Sequence, residues 1–140
     1  MAYLRPGLVV RKLINPLLMT LGITPTLAVR GRKSGEWRVA PVNVLEHDGE
    51  RYLVAPRGEA QWVRNIRAAG GGELRRRGKT ERFRAHELPV EERRPLIDAY
   101  RAHWGTQVRK LFEQLPDPAD HPVFRIEPEP GQTARIASNA

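Results

Sequence analysis

A basic turn bounded by two glycines lies between two β-prone segments, and its sequence is Gly31-Arg32-Lys33-Ser34-Gly35. Strand on both sides of such a turn predicts an antiparallel pair. Glycine permits positive φ and a close approach of the backbone to a ligand, while the Ser34 hydroxyl and the peptide N–H groups donate hydrogen bonds. With the charges of Arg32, Lys33 and Arg38 the turn could bind a phosphate, and the alternative is an ordinary solvated hairpin turn.

The turn differs from a nucleotide-binding P-loop. That motif has a glycine directly before its Lys-Ser pair and a helix after it. Arg32 stands at the place of the glycine, and the segment that follows the turn has the pattern of a strand. The motif therefore gives no reason to expect P-loop chemistry.

The charge of the chain predicts an anionic partner. There are 24 Lys and Arg residues against 16 Asp and Glu residues in 140, a net charge of +8. Nucleic acid, an anionic membrane surface and a polyanionic small molecule would all suit that charge. We expect no nucleic-acid partner, because the sequence has no aromatic-rich RNA-binding signature or helix-turn-helix pattern. The absence of cysteine excludes disulfides, thiolate metal sites and cysteine nucleophiles.

The N-terminal region predicts an amphipathic helix over about residues 4–22, in which apolar residues are interrupted by Arg11 and Lys12. It does not resemble a signal peptide, and no stretch is apolar for long enough to span a bilayer. We expect the helix to pack across an opening of the core in a cytoplasmic protein. The alternative is contact with lipid or with the inner face of the membrane.

The middle of the chain predicts three antiparallel strands, over residues 26–32, 37–47 and 51–55. Asp48-Gly49 is a strong hairpin signal between the last two. Pro41 fits only an edge strand or a bulge, because it cannot donate to a ladder.

From residue 59 the apolar spacing becomes helical. Trp62, Asn65, Ile66 and Ala69 recur at intervals of three and four, which predicts a helix that ends at Gly70. Trp62 and Asn65 share one face. A core position is the simple interpretation for Trp62, but an Asn on an apolar stripe needs a hydrogen-bond partner, which favours a pocket wall.

The rest of the chain predicts a hairpin, two helices and one more strand. The hairpin joins residues 74–79 and 80–88, the helices cover residues 90–104 and 106–115, and a strand at residues 122–127 closes the sheet. Residues 1–127 are expected to form a single domain. Residues 128–140 have the composition of a flexible tail.

Several of these motifs occur in a characteristic order: the Gly-Arg-Lys-Ser-Gly turn, then Arg38, Pro41, the Ala55-Pro56-Arg57-Gly58 loop and Trp62-Val63-Arg64-Asn65. Over roughly residues 20–127 the chain resembles the deazaflavin (F420)-dependent nitroreductase family. The resemblance implies an α+β fold, an antiparallel split β-barrel of the FMN-binding, pyridoxamine-phosphate-oxidase-like kind, with an N-terminal helix and C-terminal helices. It also implies an oxidoreductase that uses reduced coenzyme F420, an 8-hydroxy-5-deazaflavin, as the hydride donor to quinones, nitroaromatics or other electrophilic acceptors.

The resemblance further implies four groups of cofactor-binding residues. The turn would bind the phosphate and the anionic oligoglutamate tail through Arg32, Lys33, Ser34, Gly35 and Arg38. The edge of the deazaflavin would lie against Pro41, Val42 and Asn43. Backbone groups would cap the ring at Ala55, Pro56, Arg57 and Gly58. The pocket would be closed by Trp62 and Asn65.

No acid or base stands out for proton delivery to a reduced acceptor. Tyr100 and His103 are candidates on one predicted helix, and surface or core roles are the alternative. His47, His86 and His121 have no metal-ligand spacing, so no metal site is expected.

A different function stays open on the same fold. Gln61 precedes Trp62 where many family members have proline, and some relatives bind lipids. The alternative is therefore a lipid-, fatty-acid- or FMN-binding split-barrel protein without turnover. The expected partner is a small-molecule redox acceptor, and either a homodimer or a monomer is compatible with the sequence.

Overall fold

The computed structural model describes residues 3–4 and 24–140. These residues form one seven-stranded sheet in the order β2-β1-β5-β6-β7-β4-β3 and two α-helices. The strands are β1 (Thr26–Arg30), β2 (Trp37–Pro41), β3 (Val44–His47), β4 (Glu50–Val54), β5 (Gly71–Arg76), β6 (Lys79–Glu87) and β7 (Val123–Pro128), and the helices are α1 (Gln61–Ala69) and α2 (Arg94–Gln114). The predicted N-terminal helix lies outside the described residues apart from Leu4.

The sheet is antiparallel throughout and curls around a common core. Five buried side chains, each from a different strand, converge on one apolar cluster, and they are Leu27, Leu53, Leu74, Phe83 and Phe124. Inward-facing residues can meet in this way only if the sheet bends on itself. The predicted antiparallel split-barrel-like architecture is therefore confirmed.

The single strand predicted over residues 37–47 is wrong, because two strands occupy that range. β2 pairs with β1 and β3 pairs with β4, so the two lie at opposite edges of the sheet. After β2 the Val42 N–H donates to the Pro25 carbonyl at 3.0 Å, which extends the pairing with the β1 side by one residue before the chain crosses to β3. Pro41 ends an edge strand, as predicted.

The predicted end of α1 at Gly70 is confirmed. Gly70 has φ of 80° and donates its N–H to the Ile66 carbonyl at 2.7 Å, a left-handed helix cap. Gly71 then begins β5, where a Cβ would lie only 2.1 Å from the Phe83 carbonyl oxygen. Glycine at position 71 thus permits the close approach of β5 to β6.

α2 consists of two helical parts that meet at a kink, close to the division at Gly105 that the sequence predicts. Trp104 has non-helical angles (φ −111°) inside the element. Tyr100, Trp104, Val108 and Phe112, from both parts, nevertheless belong to one buried cluster with residues of the sheet. No helix among residues 3–4 and 24–140 combines the length and apolarity needed to cross a membrane.

The predicted strand at residues 122–127 is confirmed as β7. β7 lies between β6 and β4, where it joins the two parts of the sheet. The sequence reveals the strand, but the pairing partners are distant in sequence.

The segment after β7 is packed, where the sequence predicts a flexible tail at residues 128–140. Ile136 is only 3% exposed within the core cluster. Its N–H donates to Glu81 Oε1 at 2.6 Å, and its carbonyl accepts from Arg51 Nη1 at 2.8 Å. Arg51 and Glu81, 2% and 0% exposed, form a bidentate ion pair at 2.8 and 2.7 Å. The tail therefore adds two hydrogen bonds to a buried ion pair, which its own composition does not reveal.

Candidate functional site

A cavity of about 300 Å³ opens beside the split edge of the barrel. Its wall combines the end of β2 with the connector after it, the end of β4 and the following loop, the start of α1 and one face of α2. The lining residues are Thr24, Pro41, Val42, Asn43, Val54, Ala55, Pro56, Arg57, Ala60, Trp62, Tyr100, Gln107, Val108 and Leu111. A cavity whose wall combines apolar side chains with converging polar groups can hold a small molecule or a cofactor.

Tyr100 is the most deeply buried polar group of this wall, with 3% of its surface exposed. Its hydroxyl oxygen accepts a hydrogen bond from Asn43 Nδ2 at 3.2 Å. Burial raises the pKa of Tyr100 to about 12, although the Asn43 hydrogen bond and the charge of Arg57 act in the opposite direction. The phenol is therefore neutral at physiological pH and retains a hydrogen that it can donate.

The loop from Ala55 to Gly58 is held in place by protein hydrogen bonds. The Ala55 N–H donates to the Pro122 carbonyl at 3.0 Å, and the Ala55 carbonyl accepts from Gly58 N–H at 3.2 Å and contacts His121 Nδ1 at 2.8 Å. The Arg57 carbonyl accepts from Leu4 N–H at 2.8 Å. Most of the backbone groups predicted to cap a ring are thus already engaged, and the Arg57 N–H lacks a partner among the described residues.

The basic turn is anchored to α1 through Arg32. Its guanidinium Nη1 donates to Gln61 Oε1 and Asn65 Oδ1, each at 2.9 Å, and its backbone N–H donates to the same Asn65 oxygen at 3.1 Å. Asn65 is buried, and the neighbouring Trp62 lines the cavity. The hydrogen-bond partner that Asn65 requires is therefore the turn, which is thereby fixed next to the cavity wall.

Hydrogen bonds within the turn fix much of the rest of its backbone. Gly35 has φ of 76°, and the Gly31 N–H closes the turn on the Glu36 carbonyl at 2.7 Å. A Cβ at Gly31 would lie 3.1 Å from Ser34 Oγ and 3.5 Å from Arg38 Nε, so the absent side chain leaves room for both groups to gather over the backbone. Arg38 is 62% exposed and only 3.8 Å from the exposed carboxylate of Glu36.

The basic turn and the N-terminus of α1 together form a positively charged region. α1 begins without an acidic residue in its first turn, and its N-terminus carries a partial positive charge from the peptide dipoles. Glu59, just before the helix, pairs instead with Arg67 at 3.1 Å. Lys33 has no partner among the described residues. The turn and the helix N-terminus thus present positive charge that the described part of the protein does not neutralise.

The family model described as F420H(2)-dependent quinone reductase matches residues 13–112, which is more than half of the 140-residue chain. The chain belongs to the F420H(2)-dependent quinone reductase family. This confirms the deazaflavin-dependent family that the motifs resemble. No curated protein shows significant similarity to the chain.

Solved structures share the fold of this F420H(2)-dependent quinone reductase family member. Protein Atu2129 of unknown function from Agrobacterium tumefaciens str. C58 aligns over 89% of the chain at 22% identity with a TM-score of 0.61, and the chain spans 55% of its length. HutZ, the heme storage protein from Vibrio cholerae, aligns over 83% of the chain and 88% of its own at 14% identity with a TM-score of 0.56. A protein described as an F420 reductase aligns over 82% of the chain and 93% of its own at 14% identity with a TM-score of 0.50.

In this family member the structure brings together many, though not all, of the residues singled out from the sequence. Those that line the cavity are Pro41, Val42, Asn43, Ala55, Pro56, Arg57, Trp62 and Tyr100. Gly58, Asn65 and the turn residues adjoin this wall without lining it. His103 is exposed on α2 with its ring 4.4 Å from Trp104, and it does not line the cavity.

Sequence reasoning missed the part of the wall that comes from the second half of α2. Gln107, Val108 and Leu111 line the cavity together with Tyr100. Gln107, Val108 and Leu111 share one face of the part of α2 that follows the kink at Trp104. Helical spacing could have grouped these three, but it could not place them beside Tyr100, which lies before the kink. Within the described residues no cluster of three His, Asp or Glu side chains is suited to a metal ion.

Proposed function

We propose that this chain is an F420H2-dependent reductase that transfers a hydride to a quinone. The observation that carries the proposal is the joining of a cavity with apolar and polar walls to a basic turn through the Arg32 contacts with α1. The apolar part of the wall suits a planar ring and a cationic turn suits a polyanion, and reduced F420 has both parts.

The turn would bind the phosphate and the oligoglutamate tail. Lys33 and Arg38 are exposed and can form charge-assisted hydrogen bonds without loss of an existing buried contact. Ser34 adds a hydroxyl, whereas the Gly31 and Gly35 N–H groups are already bonded within the turn. Arg32 contributes charge and, with Asn65, holds the turn against α1.

The cavity would hold the deazaflavin ring. Pro41, Val42 and Trp62 supply apolar surface that excludes water, and Asn43 supplies polar atoms at the edge. The Arg57 N–H, which lacks a described partner, can donate to the ring from the loop between Ala55 and Gly58. The bound reduced cofactor would supply the hydride itself.

Two groups of the wall would stabilise the acceptor. A quinone that receives a hydride develops negative charge on its oxygen, and preorganised donors lower the barrier most when they face that charge. Tyr100 offers a neutral hydroxyl and Arg57 a fixed positive charge on the same cavity. His103 has no such position and is not proposed to take part.

Anaerobic oxidation of reduced F420 by a soluble quinone tests the proposal. We expect protein-dependent recovery of the absorbance of the oxidised cofactor, and a rate that falls in Arg57→Ala and Tyr100→Phe. Oxidation no faster than in a protein-free control would overturn the reductase function. Co-purified FMN or fatty acid with no response to reduced F420 would favour the non-catalytic alternative.

A further inference from the structure

A chain of amide hydrogen bonds links the C-terminal segment to the cavity. The Val44 N–H donates to Asn139 Oδ1 at 2.7 Å. Asn139 Nδ2 donates to Asn43 Oδ1 at 3.0 Å. Asn43 Nδ2 in turn donates to the Tyr100 hydroxyl oxygen at 3.2 Å. Asn43 and Tyr100 line the cavity, whereas Asn139 does not.

The Val44 N–H determines which groups donate and which accept along this series of hydrogen bonds. An amide side chain can in principle be turned over, which exchanges its donor and acceptor. A backbone N–H can only donate, however, so it requires the oxygen of Asn139 and leaves the Asn139 NH₂ group to face Asn43. Asn43 must then accept from Asn139, and its own NH₂ group faces Tyr100.

This arrangement leaves the hydroxyl hydrogen of Tyr100 free to donate. The hydroxyl oxygen accepts from Asn43, and no acceptor for the hydroxyl hydrogen lies among the described residues. Tyr100 lines the cavity, so that hydrogen is available to a bound molecule. If Asn43 were turned over, its oxygen would accept the phenolic hydrogen and the cavity would lose the donor.

We propose that Asn139 is a positioning residue that, through Asn43, keeps Tyr100 as a hydrogen-bond donor to the oxygen of the electron acceptor. The proposal rests on the proposed reductase function and deepens it, since it requires an acceptor with an oxygen that gains negative charge, as a quinone has. Low-dielectric surroundings strengthen such a bond, because Tyr100 is almost fully buried.

Anchoring of the tail does not by itself require the Asn139 NH₂ group. Ile136 is buried and bonded to the Arg51–Glu81 pair, and Ser138 Oγ donates to the Val44 carbonyl at 2.7 Å. Ser138 is therefore a matched control. It attaches the same segment to the same residue of β3 but takes no part in the chain that ends at Tyr100.

Asn139→Asp tests the proposal with a nearly isosteric change. The carboxylate still accepts from the Val44 N–H but cannot donate, so it repels Asn43 Oδ1 and turns that amide over. We expect kcat for quinone reduction to fall at least about tenfold, with little change in cofactor affinity, as in Tyr100→Phe. In the Tyr100→Phe background Asn139→Asp should add no further loss, because the two residues act as one unit. Ser138→Ala should retain the activity of the unaltered protein.

A second readout does not depend on turnover. The NMR resonance of the ¹³C-labelled Tyr100 ring carbon that bears the hydroxyl, assigned by its loss in Tyr100→Phe, reports whether the phenol donates to Asn43. We expect it to shift in Asn139→Asp and to stay in place in Ser138→Ala. If the resonance shifted in Asn139→Asp but neither the unaltered protein nor any variant reduced quinone, the reductase function would be overturned. The hydrogen-bond series from Asn139 to Tyr100 would still be supported. An unchanged resonance in Asn139→Asp, or equal losses of kcat in Asn139→Asp and Ser138→Ala, would overturn the positioning role.

Discussion

The basic turn at residues 31–38 and the C-terminal segment at residues 129–140 are both irregular segments attached to the sheet, but they use their polar groups in opposite ways. Of the three cationic side chains Arg32, Lys33 and Arg38, only that of Arg32 makes short hydrogen bonds to the described part of the protein. The other two are exposed to solvent. In the C-terminal segment, Ile136 and Asn139 direct their polar atoms into the protein.

This difference separates two kinds of function. Charges that the protein does not neutralise are available for an anionic ligand, and removal of one should weaken binding with little effect on folding. Polar groups that complete a buried network are part of the fold, and their removal leaves unpaired groups in a low-dielectric interior. Stability and binding measurements should therefore respond to substitutions in different segments.

The largest expected effect is on the buried ion pair to which the C-terminal segment is hydrogen-bonded. Glu81→Ala leaves Arg51 charged, 2% exposed and without its carboxylate partner. We expect the free energy of unfolding to fall by about 3–5 kcal/mol in urea denaturation. Arg82, on the same strand as Glu81, pairs with Glu129 at the surface and is a control, so that Arg82→Ala should cost about 1 kcal/mol or less. Equal losses in the two variants would remove the distinction between buried and exposed pairs.

Ile136 tests the packing of the same segment. Ile136→Ala should lower the unfolding free energy by about 2–4 kcal/mol, because it removes a side chain of the core cluster. Thr133→Ala, at an exposed position of the same segment, should change it by less than about 0.5 kcal/mol. A flexible tail, as the sequence predicts, would give a negligible change for both.

The turn could be predicted from the sequence and the C-terminal contacts could not, for a physical reason. The turn is local, since five consecutive residues determine its backbone and its charge. Most strands and α1 likewise follow from local periodicity, as Asp48-Gly49 and Gly70 show, although local pattern does not separate β2 from β3. The partners of Ile136 and Asn139 are far away in sequence, at Glu81 and Asn43, and no local pattern specifies such pairs. The same holds for the wall of the cavity, which only the fold assembles.

The ionisation of Tyr100 gives a pH-dependent test of its burial. Its pKa rises from 10.0 to about 12 on folding, so the neutral form is favoured in the folded state. This contribution to stability is complete below pH 10 and is lost as the pH rises to about 12. Over that interval the unaltered protein should lose about 2–3 kcal/mol more than Tyr100→Phe does. Tyr52 is more exposed, so Tyr52→Phe should retain most of this loss of unfolding free energy at high pH. If Tyr100→Phe lost as much unfolding free energy as the unaltered protein, the result would contradict a buried phenol.

The affinity for oxidised F420, measured by fluorescence quenching, tests most directly whether the turn and the cavity together form a cofactor site. We expect Lys33→Ala and Arg38→Ala each to weaken binding by about 1.5–3 kcal/mol, with an unfolding free energy like that of the unaltered protein. Lys79→Ala, an exposed cation on the hairpin between β5 and β6, should leave the affinity unchanged. A deazaflavin that lacks the phosphate and the glutamate tail should bind all three variants equally. No binding of F420 to the unaltered protein, or the same affinity in Lys33→Ala and Arg38→Ala as in the unaltered protein, would contradict the account.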